Sequence, residues 1–187
     1  MGKIIVSENL TIDGVAQAPV GDSAFEHSGW FNRLDGLDRD AWAAVLHEEA
    51  ARAEALLMGR RTYEWFLATG WPTRTGAWAD RMRRLPKHVV SVTLDAPAWE
   101  NTSIISSDGL KALKAGTDGD IVVYGSGQLV RTLLDADLVD ELRLMVCPVV
   151  LGSGTGVFGG TAAALPLRLG DVRTVGGALA LLTYTRP

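Results

Sequence analysis

The amino-acid sequence predicts an α/β fold with a mixed, mostly parallel central sheet that ends in an antiparallel hairpin. Through the first two thirds of the chain, short apolar and β-branched runs alternate with segments of helical spacing, which is typical of parallel strands joined by helices. In the last third, strands follow one another directly, and Gly176-Gly177 provides a hairpin turn between residues 165–175 and 178–185.

Each predicted strand is a short apolar segment bounded by glycine, proline or polar residues that favour turns. In chain order, the predicted strands cover residues 3–7, 55–58, 87–93, 103–105, 121–124, 142–149, 165–175 and 178–185. Pro148 marks the end or the edge of the sixth strand, because proline has no N–H group to donate to a neighbouring strand.

The predicted helices follow residues that can cap or turn the chain. Asp38 or Asp40 can cap the first helix, which has an apolar stripe, and Asp108 can cap the fourth. In chain order, the helices are predicted from Asp38 or Asp40 to Ala53, after Gly59, at residues 80–85, at residues 110–113 and at residues 128–134. Residues 17–37 and 70–79 are left as long loops, which in compact domains are often functional.

Composition and charge exclude several classes of function. The 187 residues carry a net charge of −4, whereas binding to a nucleic-acid backbone requires concentrated lysine and arginine. Cys147 is the only cysteine, so an intrachain disulfide is impossible and a thiolate metal site is not expected. The three histidines are dispersed and no Gly-x-Ser-x-Gly motif is present, so the sequence predicts neither a metal centre nor a hydrolase.

The apolar runs are too short for a membrane protein. The longest, residues 144–151, is interrupted by Pro148, and Ile4-Ile5-Val6 near the N-terminus is far shorter than the apolar core of a signal peptide. We therefore expect no membrane partner and a cytoplasmic location.

A glycine turn at residues 125–127 joins a buried strand to a helix. The first N–H groups of a helix lack partners and the helix dipole is positive there, so an anion such as a pyrophosphate can bind if no side chain blocks it. Val130 stands where the third glycine of the dinucleotide-binding fingerprint belongs, which predicts a phosphate-facing turn outside a Rossmann domain. A turn with only packing reasons for its glycines is the alternative.

Two further motifs stand at predicted strand ends. Gly59-Arg60-Arg61-Thr62 follows an apolar strand and begins a helix, where basic residues oppose the dipole at a cost of about a few tenths of a kcal/mol. A bound anion would reverse that cost. Asp13-Gly14 forms a turn after the first strand, at the end of the sheet where ligands bind in open α/β folds.

Taken in this order, with Leu138–Leu142 and Pro148–Gly154 behind them, the three motifs resemble the dihydrofolate-reductase-like family. Within it, the chain is most similar to the reductase domain of the bifunctional riboflavin-biosynthesis deaminase-reductase, from about residue 3 to residue 184. The resemblance implies a single domain over residues 1–187, a three-layer sandwich around a sheet of about eight strands, and NADPH as the cofactor.

The resemblance also assigns cofactor-binding residues by position. Backbone amides would hold the pyrophosphate at Gly125, Ser126, Gly127, Gln128 and Leu129. The adenosine phosphate site would consist of Gly59, Arg60, Arg61 and Thr62, with Thr93 at the end of the neighbouring strand. The planar fork of arginine donates paired hydrogen bonds to phosphate, so the two arginines favour NADPH over NADH.

On the substrate side, Asp13 is the predicted catalytic residue, as a proton donor or as a ligand of a ribose hydroxyl group. The alternative is an aspartate that only orders its own turn. Trp30 and Phe158, with Trp71 and Trp78, lie in predicted loops where they could cover a planar heterocycle, and ordinary packing is the alternative for each.

These features predict an NADPH-dependent reductase of a small heterocyclic or carbonyl-type substrate, similar to 5-amino-6-(5-phosphoribosylamino)uracil reductase. A weak dihydrofolate reductase is a second hypothesis, although Glu48 and Glu49 fall towards the far end of the first helix. A third is an NADP(H)-binding module without catalysis. Members of the family commonly pair through their C-terminal strands, so the resemblance implies a homodimer, and the apolar run at residues 178–182 offers a suitable surface. Burial of this run inside one subunit is the alternative.

Overall fold

The computed structural model describes residues 2–21, 24–160 and 164–187. Within these ranges the strands are β1 (Lys3–Thr11), β2 (Ala53–Gly59), β3 (Lys87–Val90), β4 (Thr102–Ile105), β5 (Asp120–Tyr124), β6 (Glu141–Cys147), β7 (Arg168–Val175) and β8 (Leu179–Thr185). The α-helices are α1 (Gly36–Arg52), α2 (Arg60–Ala68), α3 (Ala77–Arg84), α4 (Leu110–Gly116) and α5 (Gly127–Asp135).

The strands form one mixed sheet in the order β4-β3-β2-β5-β1-β6-β8-β7. From β4 to β6 all neighbours pair in parallel, whereas β8 pairs antiparallel with both β6 and β7. This arrangement confirms the predicted mostly parallel sheet with an antiparallel C-terminal hairpin. Because β2, β5 and β1 are adjacent and parallel, their carboxyl ends meet at one edge, which is where the candidate site lies.

The first strand is longer than the sequence predicted. We expected β1 to end at Ser7, but it continues to Thr11, because β6 pairs with it from Ile5 opposite Glu141 to Thr11 opposite Cys147. Polar side chains at residues 7–9 had ended the predicted apolar run. The extension brings Glu8 into the sheet.

The caps of α1 and α4 differ from those predicted. Neither Asp38 nor Asp40 caps α1; Asp35 does, and its carboxylate accepts a hydrogen bond from the Asp38 amide at 2.8 Å. The Asp38 carboxylate instead accepts from the Gly177 amide at 2.7 Å, which ties α1 to the turn of the β7–β8 hairpin. Asp108 lies in a 3-10 turn before α4 and does not cap that helix.

Several other strands and helices begin or end at residues different from those predicted. β3 ends at Val90, so Thr93 lies beyond the strand rather than at its end. β6 ends at Cys147, because the next residue, Pro148, has no N–H group to donate to a neighbouring strand. α3 begins at Ala77, earlier than the predicted residue 80.

Helices cover both faces of the parallel part of the sheet. On one face Ile4 and Val6 of β1 pack with Leu133 of α5. On the other face Leu56 of β2 packs with Phe66 of α2. Because these strands are buried on both faces, their sequences are nearly continuous apolar runs, at residues 55–58 and 121–123.

The sheet ends at the exposed strand β7, where Leu169 and Val172 are each about half exposed. In the run at residues 178–182, which was predicted as a pairing surface, Leu179 and Leu181 are buried within the core of one subunit. Across the described ranges, no helix combines the length and the apolar character needed to cross a bilayer.

Candidate active site

The two glycine turns form one crevice at the carboxyl edge of the sheet. Because β2 and β5 are neighbours, the turn after β2 and the turn after β5 lie side by side, and the Gly59 amide donates a hydrogen bond to Ser126 Oγ at 3.1 Å. The nearest side-chain atom to a Cβ placed on Gly59 would be Leu129 Cβ, at 3.8 Å. The helices α2 and α5 therefore begin next to each other.

Backbone conformation in the second turn explains its residues. Gly125 and Ser126 both have positive φ angles, 60° and 67°. A left-handed conformation costs a residue other than glycine roughly 1–2 kcal/mol. The Ser126 hydroxyl offsets this cost, because it accepts from the Gly59 amide and donates to the Tyr124 carbonyl oxygen at 3.3 Å. Ser126 thus fastens one glycine turn to the other.

Helix α5 begins at Gly127, so its first backbone N–H groups, at residues 127–129, have no acceptor within the helix. Gly127 and Gln128 are exposed, whereas the Leu129 side chain is buried, which leaves only its amide available to a ligand. With the positive end of the helix dipole, these donors suit an anion such as a pyrophosphate.

Basic and hydroxyl groups lie at the start of α2. Arg60 forms an ion pair with Glu64, Nε to Oε1 at 3.0 Å, and its guanidinium group also hydrogen-bonds the Thr93 hydroxyl. Thr93 therefore reaches Arg60 from the segment that follows β3. Arg61 and Thr62 line a cavity on the other side of the crevice. Of the two exposed arginines, Arg61 therefore lines the cavity and Arg60 does not.

The cavity has a volume of about 380 Å³ and adjoins the crevice through Gly125 and Ser126. The carboxyl ends of β1 and β5 form its floor, with Ser7, Glu8 and Tyr124. The remaining walls come from residues 16–21, α1, α2, the 3-10 turn at residues 71–73 and α3. A cavity of this size at this edge of an open α/β sheet is where such folds bind small ligands.

Aromatic side chains dominate one wall of the cavity. Trp71 and Trp78 pack edge to face with ring centroids 4.5 Å apart, and Phe66 and Tyr124 extend the cluster. The two indole Nε1 atoms are buried, and neither has a hydrogen-bond partner among the described residues. Such an aromatic wall suits a flat ring.

Glu8 is the acidic residue of the cavity that sequence reasoning missed. Its side chain is 8% exposed, and its Oε1 atom has no hydrogen-bond partner in the described part of the chain. Burial raises the pKa of Glu8 to about 8, so the carboxyl group holds its proton at neutral pH. The signal was present in the period-two alternation of Ile4, Val6 and Leu10, because Glu8 occupies the third position of the series 4, 6, 8 and 10.

A second buried acid lies behind the cavity floor. Glu49 of α1 accepts a hydrogen bond from Arg143 Nη1 at 3.3 Å, and Arg143 Nε also contacts Glu141 at 2.6 Å. Burial raises the pKa of Glu49, and Arg143 and the Ser7 hydroxyl oppose the rise. Burial and the Glu49 carboxyl group raise the pKa of Tyr124 well above its usual value. The first-helix acid therefore comes close to the floor but does not line the cavity.

The structure does not bring Asp13, Trp30 or Phe158 to this cavity. The exposed Asp13 carboxylate accepts hydrogen bonds from the Thr11 hydroxyl at 2.6 Å and from the Gly152 amide at 2.7 Å. These bonds lower its pKa. Trp30 is fully buried, and Phe158 lies about half exposed outside the cavity lining. Of the four loop aromatics considered, the cavity contains Trp71 and Trp78.

In the described ranges, no three histidine, cysteine, aspartate or glutamate side chains gather closely enough to hold a metal ion. Cys147 is buried, and burial raises the pKa of its thiol to about 12, which makes it unreactive.

A family model for the RibD C-terminal domain matches residues 2–181. The chain belongs to the RibD C-terminal domain family. Among curated proteins it is 32% identical over 89 residues to the uncharacterised protein YyaP of Bacillus subtilis (strain 168). That alignment covers 46% of this chain and 47% of YyaP, so the match spans about half the length of this relative.

Solved structures share the fold along the whole RibD C-terminal domain. A Shewanella sp. PV-4 protein, whose name places it in riboflavin biosynthesis, is 23% identical with a TM-score of 0.72 over 99% of both chains. The Thermotoga maritima diaminohydroxyphosphoribosylaminopyrimidine deaminase/5-amino-6-(5-phosphoribosylamino)uracil reductase is 15% identical with a TM-score of 0.65, over 100% of this chain and 57% of that one. Enterococcus faecalis dihydrofolate reductase, complexed with NADP(H), is 16% identical with a TM-score of 0.60, over 98% and 96%.

At these identities the likeness shows the fold alone, which is the dihydrofolate-reductase-like α/β fold. The family model over residues 2–181 identifies the RibD C-terminal domain independently of these structures. The expected resemblance is thereby confirmed.

Proposed function

We propose that this chain, taken as one unit over residues 1–187, is an NADPH-dependent reductase of a small heterocyclic or carbonyl-type substrate. The observation that carries the proposal is the contact between the Gly59 amide and Ser126 Oγ, because it sets two helix N-termini side by side at the mouth of a 380 Å³ cavity. A dinucleotide bound along that crevice would have its phosphates on backbone amides and its other end in the cavity.

The residues of the crevice fit this cofactor. We assign the pyrophosphate to the amides of residues 125–129 and the adenosine phosphate end to residues 59–62 with Thr93. A 2′-phosphate would compete with Glu64 for Arg60, and the exposed ion pair of Arg60 with Glu64 contributes only about 0.3–0.5 kcal/mol. When bound, NADPH supplies a hydride, and the protein must then orient the acceptor, exclude water and provide a proton.

The cavity also limits the substrate. Among the described residues that line it, Arg61 is the only cation, and Arg61 lies next to the proposed phosphate crevice. A phosphorylated pyrimidine would require a second cationic contact, so the cavity favours an uncharged flat ring or ketone held against Trp71 and Trp78. A substrate identical to that of the riboflavin-pathway reductase is therefore less well supported than a neutral relative of it.

The two alternatives have less support. A weak dihydrofolate reductase would use an acid on the first helix, but Glu49 is engaged by Arg143 and does not line the cavity. Binding of methotrexate would favour that alternative. A non-catalytic NADP(H)-binding module has no use for a buried cavity beside the crevice, and steady oxidation of NADPH by any substrate would exclude it.

The cofactor assignment is tested by calorimetric titration with NADPH and NADH. We expect Arg60→Ala to raise the dissociation constant for NADPH about tenfold or more, through loss of a charge-assisted bond to the 2′-phosphate, and to leave that for NADH nearly unchanged. Arg84→Ala is the matched control, because Arg84 is an exposed arginine at the end of α3, just before β3, at the edge of the sheet opposite the crevice. Equal losses for both cofactors would contradict a role in 2′-phosphate recognition.

We also retain the homodimer as a proposal, with the exposed edge β7 as its surface. An unpaired strand edge bearing Leu169 and Val172 suits a second copy of this chain. Light scattering of the purified protein tests it, and a monomer at all concentrations would contradict it.

A further inference from the structure

Asn9 is a polar residue of the central strand β1, and its side chain lies at the floor of the cavity. Side chains alternate along a strand, so Ser7 and Asn9 share the face that α1 covers, and Glu8 between them points to the opposite face. Ser7 and Asn9 are partly exposed, although Ile5 and Thr11, which precede and follow them on the same face, are buried. The cavity therefore opens over two polar residues in the middle of the sheet.

The indole ring of Trp42 fixes the orientation of the Asn9 amide group. Trp42 Nε1 of α1 donates a hydrogen bond to Asn9 Oδ1 at 2.8 Å. An indole nitrogen can only donate, so its partner must be the amide oxygen, and the amide nitrogen is turned away from Trp42. Both residues line the cavity. They form a pair in which the indole holds one end of the amide group.

The other end of this amide group is unused by the fold. In the described ranges Asn9 Nδ2 makes no hydrogen bond, and it is not among the buried atoms that lack accessible surface. Because Asn9 lies in the middle of the sheet beneath α1 and lines the cavity, the accessible surface of Nδ2 faces the cavity. An amide nitrogen in this position suits a hydrogen-bond acceptor of a bound ligand.

Other donors in the described part of the cavity are less suited to an uncharged ligand. The two indole Nε1 atoms of the aromatic wall have no accessible surface, so a ligand can contact the rings but not these atoms. The hydroxyl groups of Ser7 and Tyr124 hydrogen-bond the Glu49 carboxyl group. Arg61 is charged and lies next to the proposed phosphate crevice. Asn9 Nδ2 is uncharged, accessible and held in one orientation.

We propose that Asn9 is a specificity-determining residue of this cavity, and that its Nδ2 donates a hydrogen bond to a ring nitrogen or carbonyl oxygen of an uncharged flat substrate. Trp42 is the positioning residue that holds the amide group for this contact. The proposal rests on the proposed reductase function and names the chemical feature by which that site selects its substrate. A similar ring without an acceptor is disfavoured, because the amide group then loses water without gaining a partner.

The first test compares two bicyclic rings of the same shape, without any cofactor. Quinoxaline carries two ring nitrogen acceptors and no donor, and naphthalene carries neither. Their dissociation constants are measured by NMR chemical-shift titration of ¹⁵N-labelled protein. In Asn9→Asp the side chain keeps an oxygen atom for Trp42 Nε1 but presents a second oxygen to the cavity in place of the donor. We expect this variant to weaken quinoxaline binding at least about fivefold more than naphthalene binding.

A second variant removes the donor without adding a charge. Asn9→Leu combined with Trp42→Phe replaces both partners of the hydrogen bond by apolar groups, so neither is left unpaired in the folded protein. We expect the same loss of preference for quinoxaline. Asn101→Asp is the matched control, because Asn101 is exposed and precedes β4 at the opposite end of the parallel strands. The control should leave the ratio of the two dissociation constants unchanged.

Two results of this first test would overturn the proposal. If both Asn9 variants keep the wild-type ratio of the two dissociation constants, Asn9 does not select the acceptor and only shapes the cavity. If the wild-type protein binds neither ring, the cavity does not take uncharged flat ligands.

The second test measures reduction of 9,10-phenanthrenequinone, a flat uncharged diketone, by NADPH. We expect Asn9→Asp to lower kcat/KM about tenfold, mainly by raising KM, and to change the dissociation constant for NADPH less than threefold. A rise in the NADPH dissociation constant as large as the rise in KM would show a role in cofactor binding and overturn the proposal. Wild-type protein that binds quinoxaline but not NADPH would instead contradict the proposed reductase function, and the first test would still decide the role of Asn9.

Discussion

Glu8 and Lys87 are both ionisable side chains buried in the sheet, but the fold treats them differently. Lys87 of β3 is fully buried, and its ammonium group donates hydrogen bonds of 2.8–3.0 Å to three carbonyl oxygens, of Met82, Arg83 and Leu85. Its Nζ atom also lies 4.7 Å from the centroid of the Trp99 ring. Glu8 is equally removed from water, yet its Oε1 has no partner in the described ranges.

The difference teaches that hydrogen-bond partners, and not burial alone, decide whether a buried ionisable group stabilises the fold. Lys87 satisfies carbonyl groups at the end of α3, where the helix dipole is negative, so every donor of its ammonium group is used by the fold. Glu8 lines a cavity and contributes nothing comparable to folding. An unsatisfied buried carboxylate costs stability, so its surroundings favour the neutral, protonated acid.

The comparison is tested most severely by removing the Lys87 ammonium group. Lys87→Met keeps the apolar stem but removes all three hydrogen bonds, and only the Arg83 carbonyl oxygen keeps another donor, Asn101 Nδ2 at 3.2 Å, so we expect the free energy of unfolding to fall by about 3 kcal/mol. Urea denaturation measures it. Lys111→Met, at an exposed position of α4, is the control and should change stability by less than about 0.5 kcal/mol. A loss below about 1 kcal/mol for Lys87→Met would show that the three bonds are not structural.

In alkaline solution Glu8→Gln should increase the free energy of unfolding, whereas Lys87→Met should lower it. The pKa of Glu8 is 4.5 in a model peptide and about 8 in the fold, so between these values the folded protein binds more protons than the unfolded chain. Its contribution to stability is therefore complete below pH 4.5 and is lost as the pH rises towards 8. At pH 8.5 we expect Glu8→Gln to be at least about 1 kcal/mol more stable than wild type.

Urea denaturation at pH 5 and at pH 8.5 measures this effect, with Glu54→Gln, at an exposed position near the start of β2, as the control for a general change of charge. The difference between Glu8→Gln and wild type should grow with pH, whereas the control should show no such trend. A Glu8→Gln protein that is less stable than wild type at pH 8.5 would mean that the carboxyl group has an unseen structural partner.

The parts of the site that the sequence predicted are those set by local chemistry. The turns at Gly59 and Gly125 were predicted because strand, glycine and helix follow each other within a few residues, and parallel pairing then brought the turns together. Thr93 was expected at a strand end, and it contacts Arg60 from the segment after β3. Each of these positions depends on its own segment and on one neighbouring strand.

The parts that the sequence did not predict depend on distant packing. Trp30 and Trp71 both appeared as loop aromatics, but Trp30 is buried with its Nε1 donating to the Gln17 carbonyl at 2.9 Å, and Trp71 lines the cavity. Only the folded loops decide between these outcomes. Glu8 was missed because its polar neighbours ended the predicted strand, and only the pairing with β6 shows that the strand continues.

The smallest expected effect concerns Asp13, an acid that is exposed and has partners. Its carboxylate joins the turn after β1 to the segment after β6, because it accepts from the amides of Leu151 and Gly152. These bonds and the Thr11 hydroxyl lower the pKa of Asp13 from 3.8, so its contribution is present above pH 3.8 and is lost as the pH falls through the lower value of the folded state.

We expect Asp13→Asn to raise the hydrogen-exchange rate of the Leu151 and Gly152 amides several-fold at neutral pH, because an amide oxygen accepts more weakly than a carboxylate. Exchange followed by NMR measures this change, and the exposed Asp118→Asn serves as the control. Unchanged protection of both amides would mean that Asp13 is not the group that holds this segment. The contrast between a partnered acid at Asp13 and an unpartnered one at Glu8 would then disappear.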